Sequence, residues 1–417
     1  VGDTLDQFLI GLSGIAQRLD LPADRPPVEI LGAIHRGLEE SSDWLWVIDN
    51  ASDPALIARE YLPKLDSGRI LITTTRREPE LRSIGAMTVE LTSFFDHAAG
   101  ARFLAGLLRE GGTIEDLNED DRRAAEEISE EVSGLPLALD QAAAYIEHTG
   151  SSPRSYLAEY RRRGPILRNT RTPLEEEDRD HPAVTRTFSM LFDWVKVQNE
   201  ASADLLRLCA FLSADAIPEE LLALGAPELG SPLGPAVEES LPMTQMPALR
   251  ARLVEVNPDS KTIRVHRVVQ DVIQDLMDQP DRDRWAERAV RAVNRAVPEV
   301  EGFEPEHFDR YIPHLETCAR IVTQDHMRFP EAGRLLDKTG CILRDGARFA
   351  ESLSFLGQAL AITEAARGPD HPDTAISLNN LAIALAAQGK YDEAEPLYTR
   401  LCRSARRRSA LTIPTPR

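Results

Sequence analysis

Toward the N-terminus the chain alternates short apolar runs with amphipathic stretches, the pattern that a parallel sheet with crossover helices imposes. Trp44-Leu45-Trp46-Val47-Ile48 is an unbroken apolar run closed by Asp49, which predicts a strand buried on both faces. Pro54 to Leu62 then reads as a helix and Arg69-Ile70-Leu71-Ile72-Thr73-Thr74 as the next buried strand, with Met87 to Leu91 as a shorter third. From Asp96 the β-branched runs stop and helical spacing takes over. Asp120 to Val132 sets Ala124, Ile128 and Val132 four residues apart and covers the other face with acids, a solvated amphipathic helix. Pro165 to Pro182, with Glu175-Glu176-Glu177-Asp178 inside it, is polar and proline-bounded and reads as a linker.

Thr185 to Gln279 reads as a small helical module closed by a hairpin. Leu253-Val254-Glu255-Val256 and Thr262-Ile263-Arg264-Val265 alternate at period two around the turn Asn257-Pro258-Asp259-Ser260. Helices followed by such a hairpin resemble a winged helix. From Asp281 the pattern is helical, and it repeats. A shift of 42 residues aligns Leu336 with Leu378, Gly340 with Ala382, Leu343 with Leu385, Phe349 with Tyr391, Ser352 with Ala394 and Phe355 with Leu397. Small residues recur where helices must approach, and bulky ones where they fill the space between. This resembles the tetratricopeptide repeat in its longer variant, and His371-Pro372-Asp373-Thr374 is similar to the joint of kinesin-light-chain-type repeats.

Composition narrows the function classes. A chain of 417 residues with 42% hydrophobic and 28% charged residues is an ordinary multidomain globular protein. Its formal charge of -20 argues against a nucleic-acid or anionic-lipid footprint. The exception is Arg400 to Arg417, with six Arg and no acid, expected to be a basic, disordered tail from residue 403. Cys209, Cys318, Cys341 and Cys402 are scattered, with no C-x-x-C, which fits a reducing cytoplasmic setting. No apolar run reaches the roughly 18 residues of a membrane span. The opening at Val1, with no leader, is expected to be a truncation.

Three stretches are candidates for chemistry. The apolar run ending in Asp49-Asn50 has the form of a Walker B strand, whose acid can hold Mg²⁺ through water; its plain reading is a turn-forming Asp. Ile72-Thr73-Thr74-Thr75-Arg76 ends the next strand with hydroxyls and an Arg able to reach a terminal phosphate, or simply a surface Arg. In Gly134-Leu135-Pro136-Leu137-Ala138, Gly134 can close one helix in a left-handed conformation and Pro136 can open the next, a structural role sufficient by itself. Gly11-Leu12-Ser13-Gly14 lacks the second glycine of a nucleophile elbow, and His307 and His314, seven apart, have no paired acid or thiol to complete a metal site.

In this order the motifs resemble those of the NB-ARC class of signal-transducing (STAND) P-loop ATPases, in the bacterial form fused to tetratricopeptide repeats. Trp44 to Pro54 is similar to the Walker B stretch, Ile72 to Arg76 to the sensor-1 strand and Gly134 to Ala138 to the G-L-P-L-A motif. Val265-His266-Arg267-Val268-Val269-Gln270 is similar to the winged-helix signature; read alone, His266 is a polar residue at a helix start. The resemblance implies ADP or ATP with Mg²⁺ as ligands of an intact member. Asp49 would serve Mg²⁺ through water with Asn50 beside it, Arg76 the terminal phosphate, Pro136 the base with Gly134 beside it in the nucleotide site, and His266 the β-phosphate, all four motifs bordering one cleft.

The chain departs from the family in lacking any G-x-x-x-x-G-K-[ST] string, its sole Gly-Lys being Gly389-Lys390, followed by Tyr. Asn50 also stands where many relatives carry a second acid. The expected architecture is a partial α/β nucleotide-binding domain over residues 1–95, a helical domain over 96–164 and a linker over 165–184. A winged-helix-like domain over 185–280, a helical connector over 281–332 and repeats over 333–402 follow, with the tail over 403–417. The expected function is a nucleotide-regulated switch and protein scaffold, deficient in nucleotide binding as this chain and at most a slow regulatory ATPase when intact. Protein partners would meet the repeats through Leu378, Asn379, Leu381, Tyr391, Leu397 and Tyr398, with self-association open and neither membrane nor direct nucleic-acid binding expected. The alternatives are a nucleotide-independent repeat adaptor and a transcriptional regulator acting through a missing N-terminal effector.

Overall fold

The computed structural model describes residues 27–39, 43–49, 51, 53–62, 68–74, 87, 95–109, 112–169, 182–298, 310–346 and 348–411. The chain divides into two compact units, Val1–Thr92 and Ser93–Arg417.

In the first unit, helix α1 (Pro27–Glu39) precedes strand β1 (Leu45–Ile48), helix α2 (Pro54–Glu60) and strand β2 (Arg69–Ile72). The strands pair in parallel, Leu45 opposite Arg69 and Ile48 opposite Ile72. Asp53 caps α2 by accepting from the Leu56 N–H at 2.8 Å, and Pro54 occupies the first helical position, where its missing N–H costs nothing. Ile30, Leu31 and Ile34 of α1 share a core with Trp46, Ile48, Ala51 and Ile57. The expectation of strands buried on both faces is corrected here. Successive side chains of a strand point to opposite faces; Trp46 and Ile48 face the core, while Leu45, Val47 and Leu71 remain 63%, 51% and 52% exposed. Of the third strand expected over Met87 to Leu91, all but Met87 lies outside the described residues.

The second unit is mainly helical. Helices α3 (His97–Leu108), α4 (Glu119–Glu131), α5 (Pro136–Thr149) and α6 (Pro153–Asn169) come first. As the four-residue spacing predicted, Ala124, Ile128 and Val132 are buried. The stretch read as a linker is helical at its start, since α6 runs through Pro165 to Asn169; residues 170–181 lie outside the described residues.

The next helices are α7 (Pro182–Gln198), α8 (Glu200–Cys209), α9 (Glu219–Gly225) and α10 (Leu233–Arg250), the last kinked at Ser240, two residues before Pro242. Strands β3 (Ile217–Pro218), β4 (Glu255–Asn257) and β5 (Thr262–Arg264) form an antiparallel sheet in the order β3-β5-β4, with Ile263 paired to both Ile217 and Val256. Asn257, expected in the turn, ends β4, and its side chain accepts from the Asp259 and Ser260 N–H groups to close the loop. Helix α11 (Arg267–Leu276) follows, and its buried Gln270 donates to the carbonyls of Cys209, the last residue of α8, and of Leu212 just beyond it.

The remaining helices are α12 (Gln279–Ala296), α13 (Ile312–Gln324), α14 (Pro330–Asp345), α15 (Phe349–Arg367), α16 (Pro372–Ala387) and α17 (Tyr391–Leu411). Buried Lys338 of α14 donates to the Asn294 and Val297 carbonyls at 2.9 and 2.7 Å, placing a cation at the C-terminus of α12. The disordered tail expected from residue 403 is corrected: α17 continues to Leu411, and residues 412–417 lie outside the described residues.

Candidate functional site

In the first unit the motif residues gather at the C-terminal ends of the two parallel strands, where ligands bind in open α/β sheets. The Thr73 hydroxyl donates to Asp49 Oδ1 at 2.5 Å, and the Thr74 hydroxyl to the Ala51 carbonyl at 2.7 Å. The backbone continues the pairing past the strands, Thr73 N–H to the Ile48 carbonyl and Ala51 N–H to the Thr73 carbonyl. Asp49 is thus an exposed carboxylate at a strand end, oriented by a neighbouring hydroxyl. Asn50 and Arg76 lie outside the described residues. Among the described residues no group of three or more His, Cys, Asp or Glu is placed to hold a metal ion.

In the second unit the chain reverses sharply between α4 and α5. Ser133 and Gly134 both take positive φ, 53° and 64°, and the Gly134 N–H reaches back to the Ser129 carbonyl at 2.8 Å. A Cβ at Gly134 would lie 2.3 Å from the Phe95 carbonyl oxygen, so any side chain here displaces backbone. Pro136 then stands at the first position of α5. The structural reading of this motif holds in full.

The same helix is tied to the sheet module by contacts that no motif advertised. Gln141 donates to the Arg252 carbonyl at 2.9 Å, and the Arg252 guanidinium returns to Asp140 and Glu147 at 2.6 and 3.2 Å. Arg252 holds a left-handed φ of 54° just before β4, and His148 stacks on Trp194 with ring centroids 5.2 Å apart. The Arg252 pairings join residues more than a hundred positions apart, and no local period reports them.

His266 is the N-cap of α11: its Nδ1 accepts from the Val268 N–H at 3.2 Å. Partial burial first, then the Arg264 guanidinium, hold its pKa below the usual histidine value, which keeps the ring neutral. With Nδ1 accepting, the ring proton sits on Nε2 and makes that nitrogen a donor. His371 caps α16 in the same way, its Nδ1 accepting from Asp373 N–H at 3.1 Å. Of the two histidines seven positions apart, His307 lies outside the described residues; His314 is wholly buried, accepting from the Ser213 N–H at 3.2 Å.

The last four helices follow the 42-residue register. Gly340 of α14 meets α15 so closely that a Cβ would lie 2.6 Å from Leu356 Cγ, and Ser352 Oγ donates to the Gly340 carbonyl at 2.7 Å. Their counterparts Ala382 and Ala394 share a core with Leu385. A family model described as tetratricopeptide repeat matches residues 341–407. The C-terminal helices are tetratricopeptide repeats.

A second family model, described as a domain of unknown function (DUF7779), matches residues 193–282, from the last turns of α7 through the sheet and α11 to the start of α12. A curated relative from the fungus Hyaloscypha variabilis, described as a nucleotide-binding leucine-rich repeat (NLR)-like protein, is 24% identical over 408 residues. The match covers 90% of this chain and 39% of that protein, so the chain spans about two fifths of its relative's length. Among solved structures, a signal transduction ATPase with numerous domains (STAND) with a tetratricopeptide repeat sensor, from Pyrococcus horikoshii, is similar at 13% identity. Its TM-score is 0.40, with 97% of this chain and 69% of that chain covered.

Within the repeats, the expected interaction residues separate into two sets. Leu378 is 1% exposed, and Leu381 and Leu397 pack against the Ala382, Leu385 and Ala394 cluster, so these three build the repeat rather than its surface. Asn379 is half-buried, while Tyr391 and Tyr398 are 69% and 36% exposed. Among the described residues no helix is long and apolar enough to cross a membrane.

Proposed function

We propose that this chain is the scaffold portion of a signal-transduction switch of the NB-ARC and tetratricopeptide-repeat type, which engages a protein partner through its repeats. The repeat match over residues 341–407 carries the proposal, because stacked repeats exist to present extended surfaces to other proteins. Kinship with an NLR-like protein supports the signalling half. The antiparallel sheet and the helices around it, residues 182–276, are read as winged-helix-like.

Nucleotide regulation belongs to this proposal with a limit set by the residues present. Asp49, oriented by Thr73 at the strand ends, suits an acid that holds Mg²⁺ through water, and His266 Nε2 is a donor suited to a phosphate oxygen. The phosphate cradle itself does not fit. Successive backbone N–H groups and a Lys supply most of the charge-assisted bonds to a triphosphate, and the chain has no G-x-x-x-x-G-K-[ST] string. No catalytic step is therefore assigned to it. In an intact relative, ADP and ATP would have to contact two packings of the domains differently to shift their populations. The nucleotide-independent adaptor is the second reading, favoured by the local hydrogen bonds that already engage Asp49 and His266.

Calorimetric titration of the chain with ADP and ATP in the presence of Mg²⁺ should show no binding tighter than about millimolar. Micromolar affinity would overturn the assignment of deficiency. Extension of the chain upstream to include a P-loop should restore binding if the switch reading holds, and Asp49→Ala should then weaken it; an extended protein that still fails to bind supports the adaptor.

A further inference from the structure

On the outer face of α17, apolar exposure, open surface and a charge pattern coincide. Ala394 and Leu397 turn inward against α16, and Leu401 is half-buried. On the opposite side Tyr391, Glu395, Tyr398 and Cys402 follow one another at spacings of four, three and four, a single ridge along the helix. Asp392, Thr399 and Arg403 flank it, all exposed. The surface along this ridge is open.

Charge decides what fits there. The N-terminal half of the ridge carries Asp392 and Glu395, and the C-terminal half carries Arg403. Arg400 is turned to Glu364 and does not belong to the face. A face that is acidic at one end and basic at the other is complementary to itself when two copies lie antiparallel. With Tyr398 on the two-fold axis, Asp392 of one copy stands opposite position 404 of the other and Glu395 opposite position 401. Both acids then lie within one helical turn, about 5 Å, of the other copy's Arg403.

We propose that the chain self-associates as an antiparallel pair through this face of α17, with Tyr398 at the centre, reciprocal Glu395–Arg403 and Asp392–Arg403 pairs to either side of it, and Tyr391 at the ends. The proposal goes beyond the scaffold reading and does not depend on nucleotide. The ridge from Tyr391 to Arg403 is about 18 Å long at 1.5 Å per residue, so the buried area falls at the low end of specific interfaces. The pair is accordingly weak, concentration-dependent and sensitive to salt.

Sedimentation velocity of the full chain from roughly 5 to 500 µM tests this, a range that brackets a weak micromolar association. The expected result is a reversible monomer–dimer equilibrium. Glu395→Arg or Arg403→Glu alone should weaken it at least about fivefold through like-charge contacts. An equimolar mixture of the two variants should restore most of it, because both 395–403 pairs across the axis are then Arg against Glu and only one of the two 392–403 pairs is acid against acid. Both positions are exposed, and far-UV circular dichroism of each variant should match the parent. A chain that is monomeric throughout, a dimer indifferent to both reversals, or a mixture no tighter than either variant overturns the proposal.

Discussion

The two repeat pairs are built from one pattern and end in different surroundings. Helix α14 lies between α12, α13, α15 and α16, and every position from Leu335 to Leu343 is buried. Helix α17 is the last helix among the described residues, and of its residues Ala394 alone is buried. Equivalent residues in the register therefore do different physical jobs. Gly340 is a point of close approach where a methyl group would collide, whereas Ala382 carries that methyl group. The pattern specifies how a pair forms; the place in the stack specifies how much of it is covered, and coverage sets stability.

The largest expected effect lies on the enclosed side. His314 of α13 is wholly buried, and burial lowers its pKa to about 4 from an ordinary 6.5. The unfolded chain therefore takes up a proton first as pH falls. Below about pH 6.5 the folded state loses stability at about 1.4 kcal/mol per pH unit, reaching about 3 kcal/mol by pH 4. Denaturant titrations of the parent and His314→Asn between pH 7 and 4 check this, and equal slopes in both would show that the imidazole is not enclosed as described.

A smaller effect compares the equivalent helix contacts directly. Alanine at an exposed helical glycine stabilises by about 1 kcal/mol. At Gly340, overpacking against Leu356 should reverse the sign and cost about 1–2 kcal/mol net. Thermal unfolding of Gly340→Ala reads the difference, and a raised melting temperature would mean that α15 yields without strain.

The smallest effect is in local opening. In dilute solution, amides from Tyr391 onward should exchange with solvent faster than those of Leu378 to Leu385, because α17 is covered on one side. Equal protection in both helices would erase the contrast on which the comparison rests.

Much of this was legible in the chain. Local rules suffice for the Asp53 and Pro54 start of α2, the left-handed Gly134 before Pro136 and the buried stripe of α4, because each depends on neighbours within one or two turns. Helix α1 was legible but unread: Ile30, Leu31 and Ile34 lie one and three residues apart and form its buried face. At the candidate site, the Walker-like Asp49 was placed at its strand end correctly, while its partner Thr73 emerged only once β1 and β2 paired side by side. The His266 cap follows from its position before an amphipathic helix; the neutral ring follows from burial and Arg264, which sequence does not measure.

By itself, then, the sequence determined the 42-residue repeat, the helix boundaries that caps and prolines mark, and the antiparallel hairpin. Each is carried by residues close together in the chain. Tertiary structure alone decided that one face of the parallel strands stays open, that Leu378 is core while Tyr398 is surface, and that Arg252 joins α5 to the sheet module. Exposure and long-range pairing depend on what the rest of the chain brings alongside. A period of two or of 3.6 residues tells which side chains share a face, but not what will cover it.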